Sequence, residues 1–455
     1  MNLIFLAMVA VAFVTAAFRQ LLGAGGDAQV MNAVAKAVVD DAGSAVTLAL
    51  GLAGVMTLFL GLMKVAEAGG LLAIVARLLR PPMRRLFPGV APDHPAMGAM
   101  ILNISANVLG LGNAATPFGV RAMQHLDALN ATKGAASDAM VLFLAINTAS
   151  VTLLPTSVIA LRAAAGSADP AGIVPTTLFA TLMATGVAIL LAKTCGRFWP
   201  PTASADTANS GPISSGPISS GPISPGPALA GPAAGDPASS ASGADAEISL
   251  AAAPARALPS WAPALTIAAA LVLMTLMVLY GRDAGPWILP GLVVGLLAFG
   301  AGRGVPVYEA FIEGARDGVP IALRIIPYLV AILVAVGMLR ASGALDVLTP
   351  LGEATRHVGL PAEALLMGLL RTLSGSGAYG YLASVLNDPS IGPDSYTGYL
   401  LSTIQASTET TFYVLAVYFG AVGVRRFRHA LFVGLASDAA GIVASAFICT
   451  VLHGS

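Results

Sequence analysis

Nine apolar runs of membrane-spanning length punctuate the chain, at 3–18, 44–66, 137–163, 171–194, 260–281, 285–302, 320–341, 396–424 and 430–452. Crossing hydrocarbon takes about 20 mainly apolar residues in a helix. Inside a bilayer every backbone N–H and C=O must be satisfied within the protein, so only helices and closed barrels cross. These runs are read as membrane-spanning helices on that length criterion. Composition agrees: 56% of residues are hydrophobic and 10% are charged, where soluble proteins carry about a quarter charged. The chain is therefore expected to be an all-α multi-pass membrane protein with the lipid bilayer as its main partner. Lys+Arg and Asp+Glu number 23 each, which leaves no basic field for nucleic acid. No Lys or Arg precedes the run 3–18, so it reads as a retained first span rather than a cleaved leader.

Two further apolar stretches, 95–130 and 361–387, are interrupted by Asn, Gly, Ser and Pro. They suit re-entrant helical hairpins, because non-helical backbone at membrane depth is tolerated only where protein or a wet cavity satisfies it. Residues 200–258 differ from everything else. They repeat Gly-Pro-Ile-Ser and are dominated by Pro, Gly, Ser and Ala, the composition of a disordered linker. The expected organisation is a membrane half at 1–199, the linker, and a second membrane half at 259–455.

The halves share an order of features. Gly61-Leu-Met-Lys-Val-Ala-Glu-Ala-Gly-Gly-Leu71 parallels Val336-Gly-Met-Leu-Arg-Ala-Ser-Gly-Ala-Leu345, and each precedes an amphipathic connection and a broken hairpin. Asn147-Thr-Ala-Ser-Val-Thr152 then falls where Gln405-Ala-Ser-Thr-Glu-Thr410 falls in the second half. Internal repetition of this kind is a transporter signature. Positive charge lies at opposite ends of corresponding elements. Arg77, Arg80, Arg84 and Arg85 follow the second run, whereas Arg425, Arg426 and Arg428 join the last two runs and the matching 163–170 loop has none. By the positive-inside rule this predicts two inverted repeats, with the N-terminus and linker cytoplasmic.

Polar groups break these apolar stretches at a few points, and intramembrane polar groups usually line a pathway or bind something. Asn103 and Asn107 lie one helical turn apart, ahead of Gly110, Gly112, Asn113 and Pro117, which are expected to end the helix and free backbone groups. Asn147, Ser150 and Thr152 interrupt another run. Arg371-Thr-Leu-Ser-Gly-Ser-Gly377 brings a guanidinium together with Ser374 and Ser376; Arg371 could pair with a substrate anion or with Glu409, or snorkel to the interface. Gln405, Thr408 and Glu409 have the i, i+3, i+4 spacing of one helix face. Glu409 could carry a coupling proton, complete a cation site, or bind a polar ligand; Na+ or H+ are the candidate coupling ions. Asp438 either supports this site or caps a bend.

Other chemistry is poorly represented. The histidines show no paired metal spacing, and Cys195 and Cys449 give neither a zinc motif nor a disulfide framework. Gly375-Ser-Gly-Ala-Tyr-Gly380 matches a dinucleotide fingerprint by letter but lacks its strand–turn–helix context. No Walker lysine motif and no nucleophile–base pair stand out, so neither an ATP-driven pump nor an enzyme is expected and no cofactor is called for.

Asn103-Ile-Ser-Ala-Asn-Val-Leu-Gly-Leu-Gly-Asn-Ala-Ala-Thr-Pro117, with Ala122-Met123 and Leu129-Asn130, resembles spore maturation protein A. Arg371 to Gly377, Gly392-Pro-Asp-Ser395, Ser407-Thr-Glu-Thr-Thr-Phe-Tyr-Val-Leu-Ala-Val-Tyr-Phe-Gly420 and Arg428-His-Ala430 resemble spore maturation protein B. The chain is similar to the two fused through the linker. Both belong to the nucleoside-recognition, or Gate, superfamily, which is similar to the cores of concentrative nucleoside transporters and of the ferrous iron transporter B membrane domain. The resemblance implies hairpins packed on broken helices and alternating access, in a bacterial inner membrane; it implies neither nucleosides as cargo nor spore formation. The expected function is a secondary transporter or permease of a small polar organic solute, nucleoside-like or a small anion. Solute or ion contacts are expected at Asn103, Asn107, Asn113, Asn147, Arg371, Ser374, Ser376, Gln405, Thr408 and Glu409. The alternative is a non-transporting membrane scaffold or sensor with the linker as a docking segment. Small residues along several spans would permit a homo-oligomer.

Overall fold

A computed structural model describes residues 2–22, 29–199, 262–344, 346 and 349–454. The linker 200–258 and the boundaries it sets lie outside the described residues. The described residues fold mainly as helices, and five helical segments are long and apolar enough to cross a membrane: Val30–Ala68, Pro170–Cys195, Gly285–Gly302, Val307–Ala341 and Ala430–His453.

The first half runs α1 (Asn2–Leu22), α2 (Val30–Ala68), α3 (Leu71–Leu86), α4 (Pro95–Val108), α5 (Gly112–Ala128), α6 (Asp138–Thr148), α7 (Thr156–Ala164) and α8 (Ile173–Cys195). The second runs α9 (Ala262–Gly302), α10 (Val307–Ala315), α11 (Gly318–Ala341), α12 (Thr349–Arg356), α13 (Ala362–Leu373), α14 (Gly375–Leu386), α15 (Tyr396–Ser407), α16 (Thr411–Gly420) and α17 (Ala430–His453). The interrupted stretches 95–130 and 361–387 each hold a packed helix pair, α4–α5 and α13–α14.

Local chemistry sets many of these ends. The Ser137 and Ser395 hydroxyls accept from the Met140 and Gly398 amides (3.3 and 3.0 Å) and cap α6 and α15. Ser374 caps α14 by accepting from the Gly377 amide at 2.9 Å. Such caps satisfy amides that have no carbonyl one turn earlier. Gly110 takes φ +75° between α4 and α5, with the Leu154 carbonyl so close that a side chain has no room. Only glycine adopts that backbone without strain.

Three expectations are corrected. Pro117 does not end a helix: α4 stops at Val108, and Pro117 lies inside α5. The runs at 260–281 and 285–302 form one helix, α9, with Pro286 and Pro290 within it. Gln405, Thr408 and Glu409 do not share a helix face, because α15 ends at Ser407 and Thr408 is extended.

The helices before and after the linker pack on one another. α2 lies along α11, and α8 along α17. α6 packs on α8 and α17, while α15 packs on α17 and α8. The two large hydrophobic cores each draw side chains from both halves. One joins Leu52, Ile159 and Phe179 to Val336, Met367 and Ile404. The other joins Met100, Met123 and Phe143 to Val414, Leu415 and Phe419.

Candidate functional site

Two apolar stretches break at the same place in space. α6 and α7 are separated by 149–155, and α15 and α16 by 408–410. The α6 half of one touches the α16 half of the other, and α7 touches α15. The freed backbone groups are met from several directions. The Glu409 amide donates to the Thr148 carbonyl at 2.7 Å, so one break closes on the other. The Leu153 amide donates to the Val108 carbonyl at 2.9 Å, tying the first break to the α4–α5 hairpin. Thr185 of α8 donates to the Ala149 carbonyl, and Arg371 of α13 donates to the Thr408 carbonyl. Unwound backbone persists among these apolar helices because its polar groups find partners in protein.

An amide cluster lies on one side. Asn107 Nδ2 donates to Asn147 Oδ1 at 3.0 Å, and Asn147 Nδ2 donates to the Phe143 carbonyl at 2.9 Å. Asn103 Nδ2 donates to the Ala115 carbonyl at 2.8 Å and to the Tyr418 hydroxyl at 3.2 Å. That hydroxyl donates in turn to Asn147 Oδ1, also at 3.2 Å. Tyr418 thus links the two asparagines across the halves. Asn103 Oδ1 is buried without a partner.

A charged cluster lies on the other side. Arg371 is buried, with its side chain 8% exposed, and does not snorkel. Its Nη1 donates to Thr410 Oγ1 at 3.3 Å, and its Nη2 stands 3.4 Å from Glu409 Oε2. The Glu409 side chain is 52% exposed. The first glycine of α14 brings that helix start against the same guanidinium: a Cβ on Gly375 would lie 3.2 Å from Arg371 Nη1 and 2.9 Å from Thr410 Oγ1. A buried guanidinium thus lies beside the start of a helix, and both favour negative charge nearby. Asp438 Oδ2 accepts from Thr411 Oγ1 at 2.7 Å, which anchors the first turn of α16.

The structure brings together Asn103, Asn107 and Asn147 in one cluster and Arg371, Thr408 and Glu409 in the other. Ser374 caps α14, and Ser376 sits half-buried in its first turn. Gln405 is buried at the end of α15, and its Oε1 has no partner. The side chain of Asn113 lies outside the described residues. Sequence reasoning missed Tyr418, Thr410 and Thr185. It also missed Arg162, a charge inside the 137–163 run that is wholly buried, although an intramembrane arginine is itself a signal. Among the described residues, no group of three or more His, Cys, Asp or Glu is arranged to hold a metal ion.

Together the apolar helices and the broken pair define a multi-pass helical membrane protein. The family model described as "Nucleoside recognition", Gate, matches residues 49–165. Spore maturation protein B of Bacillus subtilis (strain 168) is 46% identical over 169 residues, covering 37% of this chain and 94% of that protein. Spore maturation protein A of the same organism is 48% identical over 158 residues, covering 35% of this chain and 81% of that protein. The chain belongs to the spore maturation protein A and B family, with similarity to both in one polypeptide. No solved structure matches it significantly.

Proposed function

We propose that the protein is a secondary carrier of a small polar organic solute, working by alternating access around the crossing of the two broken helices. The observation that carries this reading is the crossing itself: unwound backbone from both halves meets beside a buried arginine whose acidic partner is half exposed. Broken helices crossing at a charged midplane site are the arrangement transporters use. The mirrored packing of α2 on α11 and α8 on α17 supports two inverted repeats and a core like that of the concentrative nucleoside transporters. So do Ser137 and Ser395, which cap corresponding helices.

In this mechanism Arg371 and the start of α14 receive an anionic or strongly polar group of the solute, and Glu409 exchanges partners with it. Asn107, Asn147, Gln405, Ser376 and Thr408 supply hydrogen bonds, and a coupling Na+ or H+ compensates the charge that Glu409 leaves unpaired. The nucleoside-recognition match supports nucleoside-like solutes as one class to test, and Arg371 supports small anions as the other. The arginine-rich connections support an inner-membrane orientation with the N-terminus and linker cytoplasmic.

Uptake by reconstituted vesicles across nucleosides, dicarboxylates and amino acids tests the proposal, with Glu409→Gln and Arg371→Gln beside the wild type. Flux of at least one class is expected, with loss in Arg371→Gln and altered ion dependence in Glu409→Gln. Unchanged transport in Glu409→Gln would remove that residue from any coupling role, and no flux of any solute would sink the carrier reading.

A further inference from the structure

We infer that the two halves are obligate and mutually specific partners: 1–199 and 259–455 recognise each other as separate chains would, and the covalent linker between them is not what holds them together. Neither half has a complete core of its own. Each of the two large cores contains buried side chains from both, so parting the halves would open both cores to lipid or water. Interfaces of that kind, a domain core cut in two, are the mark of permanent association.

Backbone fit supports the same conclusion. A Cβ on Gly314 of α10 would lie 2.5 Å from the Leu60 carbonyl of α2, and one on Gly61 of α2 would lie 2.6 Å from the Phe311 ring. Glycine on both sides of the seam lets the helices approach closely, the device that membrane helices use to associate. Gly119 of α5 does likewise for Tyr418, whose hydroxyl fills the place a side chain would take.

Polar locks add direction to this fit. Arg162 of α7 is wholly buried and reaches across to the loop before α15. Its Nη1 donates to the Pro393 carbonyl at 2.6 Å, its Nη2 pairs with Asp394 Oδ1 at 3.0 Å, and its guanidinium lies 4.1 Å from the Tyr399 ring centre. Asp394 Oδ2 also accepts from the Ala168 amide at 2.8 Å. Thr176 and Thr403 hydroxyls meet at 2.7 Å deeper in the seam. Each lock has one member in each half.

These locks also discriminate. The step in numbering that takes Gln405 back to Asn147 takes Tyr418 to Ala160 and Asp394 to Ala136, and carries Arg162 forward to Gly420. Two first halves paired with each other would offer alanine where Tyr418 and Asp394 are needed, and two second halves would offer glycine where Arg162 is needed. Self-pairing would leave Arg162 or Asp394 without its partner, which strongly disfavours it. The candidate site is itself divided, with Asn103, Asn107 and Asn147 from one half and Arg371, Glu409 and Tyr418 from the other. Two separate relatives that each match about a third of this chain, over 94% and 81% of their own lengths, accord with halves able to exist as distinct chains.

The test begins with the full chain carrying a protease site in the linker, purified in detergent and then cut. The fragments are expected to co-elute as one species and to unfold in a single transition at the midpoint of the uncut chain. Separation into two species, or two independent transitions, would overturn the inference. For specificity, two differently tagged first halves are co-expressed with one second half. Capture of one tag should recover the second half and not the other first half; recovery of the other first half would overturn mutual specificity. Gly119→Leu, and the milder Tyr418→Phe, should raise the free fragment fraction of the cut protein several-fold, with the uncut variants reporting on folding. No increase in either variant would overturn the part assigned to the Tyr418 lock.

Discussion

Tyr418 shows how much one hydroxyl can organise. It accepts from Asn103 and donates to Asn147, while each asparagine keeps a second bond, to the Ala115 carbonyl and from Asn107 respectively. Tyr418→Phe removes two buried hydrogen bonds without leaving either amide wholly unpaired, so a loss of about 1–3 kcal/mol is expected. A lower thermal midpoint with an unchanged helical signal would report it. His429 gives a pH-dependent counterpart outside the spans. It is buried next to Arg428, with Nε2 3.2 Å from the Ala192 carbonyl. Burial first, and then the Arg428 charge, lower its pKa from the ordinary 6.5. The folded protein therefore holds it neutral, while the unfolded chain takes a proton as pH falls through 6.5. Its contribution is complete above that value and is lost below it. The thermal midpoint should fall on acidification below that point, and fall less in His429→Gln. At this scale the asparagines, Arg371 and Glu409 were legible because polar groups stand out in apolar runs. Tyr418 was not, since a tyrosine in such a run serves equally as an apolar ring. Arg162 was visible as a charge, but its partners across the seam, Pro393 and Asp394, sit more than two hundred positions away.

Among the elements, the α2–α10 seam depends on absent side chains. Gly314→Leu drives a side chain into the Leu60 carbonyl, and overpacking of this kind costs about 1–3 kcal/mol. Gly295→Leu in α9, where nothing lies within 4 Å, is the control and should leave the midpoint unchanged. The hairpins were readable because Asn, Gly, Ser and Pro interrupt their apolar stretches. The end of α15 was not. Gln405, Thr408 and Glu409 have helical spacing, yet the Thr148 carbonyl and the Arg371 guanidinium bond the backbone of 408–409 and hold it out of the helix. Such contacts come from distant sequence and override the local pattern. The fusion of two runs into α9 has the same lesson in reverse: the polar Gly281-Arg-Asp-Ala-Gly285 segment reads as a loop but continues as helix.

For the whole molecule, composition made the membrane character legible, and the repeated order of features is the ground for dividing the chain into two halves. Which core each helix joins was hidden, because an apolar run carries no mark of its partner. Since both cores are shared, the segment 200–258 should be replaceable. A Gly/Ser segment of similar reach is expected to preserve the melting midpoint and any solute flux; loss of flux in a folded protein would favour a docking role for that segment instead. The most direct test of the carrier proposal is accessibility at the crossing. In protein with Cys195 and Cys449 replaced, Glu409→Cys is reconstituted in one orientation and exposed to a membrane-impermeant thiol reagent from each face in turn. Modification from both faces, with the balance shifted by a transported solute, is the expected result. Modification from one face only, or from neither, would contradict alternating access at this site.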